Sequence, residues 1–172
     1  MRREAPATEP PGPRRGTKLN VRGVSTRGTA RWSVSGVVEA PAGRVWTALL
    51  ELTPELSDRD REAVTRNAAA GQTYLVRPPG AAKAGTEVDG QAHTVATQGE
   101  WWYRGVTSVE PHPRGSLVVY RVYNVAPGLG WWAAQFVQGP EHARGMKPVF
   151  QRLLDALGER LGCVAYPAER RP

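Results

Sequence analysis

The chain has 172 residues, 40% of them hydrophobic and 23% charged, with 19 Gly, 15 Pro and a single cysteine. This length suits one domain with its own core, and the lone Cys163 excludes an intrachain disulfide and has no partner spacing for zinc. The formal net charge of +7 is concentrated at one end: residues 1–31 carry eight basic side chains against two acids, while Trp32 to Val164 holds thirteen of each. A domain that reads nucleic acid carries a basic stripe on its folded surface. The neutral body therefore argues against nucleic acid as a partner of the folded domain, and leaves the basic arm as the part able to touch anionic surfaces.

Residues 1–28 combine Pro6, Pro10, Pro11 and Pro13 with several glycines and almost no large apolar side chains. Such a stretch cannot bury enough surface to offset its ordering entropy and is expected as a disordered arm. Ordered structure is expected from residue 29 to 164, with a disordered tail over 165–172. Trp32, Val34, Gly36 and Val38 alternate with polar residues, the period of a half-buried strand. Pro41 stands where a helix tolerates it, and Val45, Trp46, Leu49, Leu50 and Leu52 follow at helical spacing until Pro54. Ser57 to Ala70 opens on a capping residue followed by acids, which predicts a second short helix closed by Gly71.

From Gln72 the pattern becomes strand-like. Thr73–Arg77, Thr86–Thr97, Glu100–Glu110, Ser116–Val125 and Trp131–Gln138 are rich in β-branched and aromatic residues and are bounded by Pro/Gly turns. Short joints between consecutive strands predict antiparallel pairing. Met146, Val149, Phe150, Leu153, Leu154, Leu157 and Leu161 then recur at three and four, one broad apolar stripe of a long helix capped by Gly162. Pro148 either begins that helix or kinks one that starts near Pro140. No apolar run approaches the roughly 20 residues that span a bilayer, and the N-terminus lacks the apolar stretch of a signal peptide, so a cytoplasmic protein is expected.

Three runs, VVEAPAGRVWTALLEL (Val37 to Leu52), SVEPHPRGSLVVYRV (Ser108 to Val122) and MKPVFQRLLDALGERL (Met146 to Leu161), resemble bacterial members of the SRPBCC superfamily, which includes START and polyketide-cyclase-like proteins. The resemblance spans about residues 30 to 163. It implies an α+β helix-grip fold: a curved antiparallel sheet wrapped around the long C-terminal helix, two short helices after the first strand, and an apolar cavity between sheet and helix. The basic arm is additional, and Leu56 to Ala70 lacks the aromatic-rich stretch common after the first helix.

Within that frame the expected ligand-binding residues are Trp46, Trp101, Tyr103, Tyr120, Arg121, Tyr123, Trp132, Phe136 and Phe150. Neighbouring residues on a strand point to opposite faces, so one of Trp101 and Trp102, and one of Trp131 and Trp132, faces inward. Arg121 is in register with Val119 and Tyr123. Facing the cavity it would anchor a carboxylate, phenolate or phosphate; facing water it is an ordinary surface arginine. His93 and Asp89 share a strand face but stand about 13 Å apart along it, too far for a direct bond. No phosphate loop, dinucleotide fingerprint, nucleophile elbow or metal spacing occurs, so no cofactor and no metal is expected. The expected function is binding of a hydrophobic or amphipathic small molecule, such as a lipid, isoprenoid or polyketide. The alternatives are a polyketide cyclase or dehydratase, warranted by fold analogy alone, and a protein-interaction module with no ligand.

Overall fold

Alternation around Val34, Gly36 and Val38 builds β1 (Trp32–Val38), and the chain then turns at Pro41 into α1 (Ala42–Glu51). The computed structural model describes residues 30–126 and 139–168, with side chains from 145 onward in the second stretch. The arm at 1–28 and the expected strand Trp131–Gln138, with its candidates Trp132 and Phe136, lie outside the described residues. Pro41 occupies the N-cap position itself, in extended conformation and with no side-chain cap. The second helix, α2 (Asp58–Ala69), starts as its sequence predicts: the Asp60 amide bonds the Ser57 hydroxyl while the Ser57 amide donates to Asp60 Oδ2 at 2.9 Å, a reciprocal capping box.

Three short strands and a long hairpin follow: β2 (Thr73–Val76), β3 (Gly85–Asp89), β4 (Thr94–Gln98), then β5 (Tyr103–His112) and β6 (Gly115–Asn124). The last elements are α3 (Gly139–Leu161) and β7 (Ala165–Pro167). One seven-stranded antiparallel sheet results, in the order β2-β3-β4-β5-β6-β1-β7. The fold is α+β, with the helices on one face of the sheet in a helix-grip arrangement. Pro148 sits inside α3, so the longer helix is the one formed.

Two expectations need correction here. The single strand Thr86–Thr97 is a hairpin: the Asp89 carboxylate accepts the amides of Gln91 and Ala92 at 2.9 Å each, and His93 turns the chain at φ 51°. The Asp-Gly pair at 89–90 is a strong turn signal that outweighs the surrounding strand propensity. Ala165 to Pro167, expected within the disordered tail, form a strand instead. Ala165, Tyr166 and Pro167 pair with Val38, Val37 and Gly36, because β1 offers an unpaired edge and the chain leaves α3 beside it. Arg114 lies over the Tyr166 ring.

The inner face of the sheet meets α1 and α3 in a core of Val38, Val45, Leu49, Val118, Phe150, Leu154 and Leu157, all buried. Gly36 permits the close approach of α3, since a Cβ there would stand 2.5 Å from Leu154 Cδ1. A second, smaller cluster lies toward the start of β1 and the end of β6, formed by Trp102, Val122, Ala126 and Met146 with Trp32 and Tyr103 against it. Val34 and Tyr120 pack against both clusters.

Candidate functional site

The strand register decides which candidates meet. On β6, Ser116, Val118, Tyr120 and Val122 face inward, and Leu117, Val119, Arg121 and Tyr123 face outward. On β5 the inward set includes Tyr103, Gly105, Thr107 and Val109. Tyr103 lies opposite Asn124, and Tyr120 opposite Thr107, two residue pairs to either side of the central match between Gly105 and Val122. The two phenol rings lean over Gly105 from both directions until their hydroxyls meet, one donating to the other. A Cβ at residue 105 would overlap the Tyr103 hydroxyl and stand 2.8 Å from that of Tyr120. The glycine is the condition for the pair.

Burial pushes both phenols above the ordinary tyrosine range, and for Tyr120 the hydrogen bond with Tyr103 adds to the effect. Both are therefore neutral around pH 7. Aromatic and apolar groups surround them: Trp102 packs edge-on against both Trp32 (centroids 6.4 Å) and Tyr103 (5.8 Å), with Met146 of α3 in the same cluster. This end of the inner face thus offers a neutral hydroxyl pair set in an aromatic wall. It suits a ligand that is mostly carbon with one polar end.

Three candidates are placed elsewhere than expected. Trp102, only 7% exposed, is the inward member of its pair, and Trp101, 46% exposed, is outside. Strict alternation back from Tyr103 assigns the opposite, but residues 101 and 102 lie in a bend ahead of β5, where period two does not hold. Arg121 is on the outer face, 3.2 Å from Ser108 Oγ and 3.7 Å from Glu110 Oε1, so it is not a cavity anchor. Tyr123 shares that face, opposite Arg104, whose guanidinium bonds Glu87 at 2.9 Å and Gln98 at 3.0 Å. The outward arginines Arg104 and Arg121 are thus both paired with carboxylates.

Trp46 and Phe150 are buried in the larger core, away from the hydroxyl pair's cluster. Trp46 also floors a different feature, a cleft of about 390 Å³ between α1, α2 and the β3–β4 turn, where His93 stacks on its ring at 5.2 Å. Arg61 at that cleft is held by the carbonyls of Leu50 and Glu51 and by Asp58. Sequence reasoning left the choice between Trp101 and Trp102 open, and missed Trp32 and Met146 as wall residues and Gly105 as the enabling position. The signal for the last was a glycine inside a strand rich in aromatics, which marks a close approach.

Among the described residues no group of three His, Cys, Asp or Glu side chains is arranged to hold a metal, and no helix is long and apolar enough to cross a membrane. No protein-family model and no curated protein matches the chain. Several solved structures are similar in outline. The solution structure of KanY protein has a TM-score of 0.44 and 15% identity, covering 78% of this chain and 99% of that one. The crystal structure of Ara h 8.0201 has a TM-score of 0.40 and 13% identity, over 75% and 96% of the two chains. A protein from Thermobifida fusca has a TM-score of 0.36 and 20% identity, over 76% and 93%.

Proposed function

We propose that the domain binds one hydrophobic or amphipathic small molecule between the inner face of the sheet and α3, with its polar end at the Tyr103–Tyr120 pair. The observation that carries this reading is the paired, neutral phenols seated over Gly105 within an aromatic cluster. A core built only for packing gains nothing from burying two hydroxyls. A hydroxyl has one donor and two acceptor lone pairs, so one shared bond does not exhaust what Tyr120 offers a ligand oxygen. Burial of ligand carbon would supply the driving force, about 25 cal/mol per Å². The likeness of Val37–Leu52, Ser108–Val122 and Met146–Leu161 to the SRPBCC superfamily supports the same reading.

The cyclase alternative needs acid–base groups converging on the ligand. Arg121 and Tyr123 point outward, and Asp89 caps the β3–β4 turn, so those three do not supply them. The direct test titrates the full-length protein with a fluorescent fatty acid. Saturable one-site binding is expected, weakened about tenfold by Tyr120→Phe, the worth of one well-made hydrogen bond. Gly105→Ala, which forces the phenols apart, should weaken it at least as much. Absence of saturable binding to the folded wild-type chain would overturn the proposal. Comparing native with denaturing mass spectra of protein purified gently from its own cells would then identify the natural ligand.

A further inference from the structure

We infer that the hydroxyl pair receives an uncharged carbonyl oxygen, so that the ligand is a neutral ketone or ester and carries no carboxylate or phosphate charge into the site. This rests on the ligand reading above and specifies the ligand's polar end. The first observation is the pair's supply of protons. Tyr103 and Tyr120 meet over Gly105 from either side and share one hydrogen bond. With Tyr103 donating, the Tyr120 proton is left for an acceptor outside the pair. Tyr120 is only half-buried, so part of its surface stays open to a ligand. A carbonyl oxygen supplies the acceptor lone pairs and brings no charge.

The second observation is where the neighbouring charges go. Arg104 directly follows Tyr103, and Arg121 directly follows Tyr120, so the alternation of a strand turns each guanidinium to the face opposite its tyrosine. There Arg104 bonds Glu87 at 2.9 Å, and Arg121 bonds Ser108 at 3.2 Å. Both cations nearest in sequence to the pair are committed on the outer face. On the inner face the tyrosines pack instead with Val34, Trp102, Val122 and Met146.

The third observation is that these surroundings already disfavour a negative oxygen at this point. Burial pushes both phenols above the ordinary tyrosine range; at Tyr103 the bond with Tyr120 opposes the push, and the Glu55 carboxylate, between α1 and α2, adds to it. What penalises a phenolate here also penalises a ligand carboxylate in contact with it, because both would give up hydration for apolar neighbours. A fatty acid enters such a site as its protonated acid, which is neutral and presents a carbonyl of its own.

The experiment titrates the full chain with a fluorescent fatty acid and with the methyl ketone of the same labelled chain. At about pH 8 an ordinary carboxyl, with a pKa of about 4.3, is ionised, and the ketone is expected to bind at least tenfold more tightly. Between about pH 8 and about pH 6 the fatty acid should gain nearly tenfold per unit of pH, as its protonated fraction does. The ketone does not titrate; it should stay level, and it reads any change in the protein itself. Tyr120→Phe should weaken the ketone about tenfold, tying its carbonyl to the pair. A fatty acid that matches or exceeds the ketone at about pH 8 overturns this inference and leaves the ligand reading standing. A ketone indifferent to Tyr120→Phe overturns it as well. Failure of both probes to bind at either pH overturns instead the ligand reading on which it rests.

Discussion

The two ends of the inner face are filled by different chemistry. Toward the end of β1, Val38, Val45, Val118, Leu154 and Leu157 are sealed between sheet, α1 and α3, and Gly36 lets the helix settle onto the strand. Toward its start, Trp32, Trp102, Tyr103 and Tyr120 meet Met146, and Trp101 and Val125 emerge to the outside. Branched aliphatic side chains interdigitate to crystal-like density and leave nothing for a ligand to do. Aromatic rings with polar tips bury a large apolar area and bring hydroxyls with them that need hydrogen-bond partners. The first end holds the fold, and the second is where we propose that the ligand binds.

The sharpest way to break this division is to hollow out the aliphatic end. Leu154→Ala is expected to cost about 2–5 kcal/mol of stability, read from urea unfolding, because a fully buried leucine leaves a cavity. Its effect on fatty-acid affinity should be small beside that of Tyr120→Phe. Equal loss of affinity in both variants would erase the distinction between the ends.

A second prediction uses pH. Burial holds the Tyr103 and Tyr120 hydroxyls protonated in the folded protein beyond pH 10.0, the ordinary tyrosine value at which the unfolded chain ionises. Their contribution to stability is therefore complete below pH 10.0 and is lost as pH rises above it, because only the unfolded state then releases the protons. Chemical unfolding between pH 9 and 11 should show a decline that Tyr120→Phe makes shallower; identical slopes would place the phenols in water.

The smallest effect concerns the contact between α2 and β2, at the margin of the aliphatic core and away from the hydroxyl pair's cluster. Burial alone would raise the Asp60 carboxyl, but hydrogen bonds from Ser57 and Tyr74 outweigh it and hold the group below the usual aspartate range. Ser57→Ala removes the reciprocal cap and should cost about 1 kcal/mol, visible as a shifted urea midpoint with ligand affinity unchanged.

Much of the architecture was legible in the residues. The periodicities of Trp32–Val38, Val45–Leu52 and Met146–Leu161 placed β1, α1 and most of α3, and Ser57 marked the start of α2. These are local signals, since each strand or helix must show its apolar face in its own sequence. The hairpin at Gly90–His93 was legible too, in Asp89-Gly90, but strand propensity on both sides masked it. β7 carried no such signal: three residues form a strand only because an unpaired edge of β1 lies beside them.

The candidate site divided along the same line. That aromatic side chains on β5 and β6 gather on the inner face follows from composition and alternation, and Tyr103 and Tyr120 were among the residues expected to bind a ligand. The sequence by itself determined the fold class, the neutral body with its basic segment, and the supply of aromatic groups. Only the tertiary structure decided that Trp102 rather than Trp101 turns inward, that Arg121 spends its charge on Glu110 and Ser108, and that two tyrosines meet over Gly105. Which face a strand buries, and what lies across from each residue, depend on register and on bends between elements, and those are fixed by partners far away in the chain.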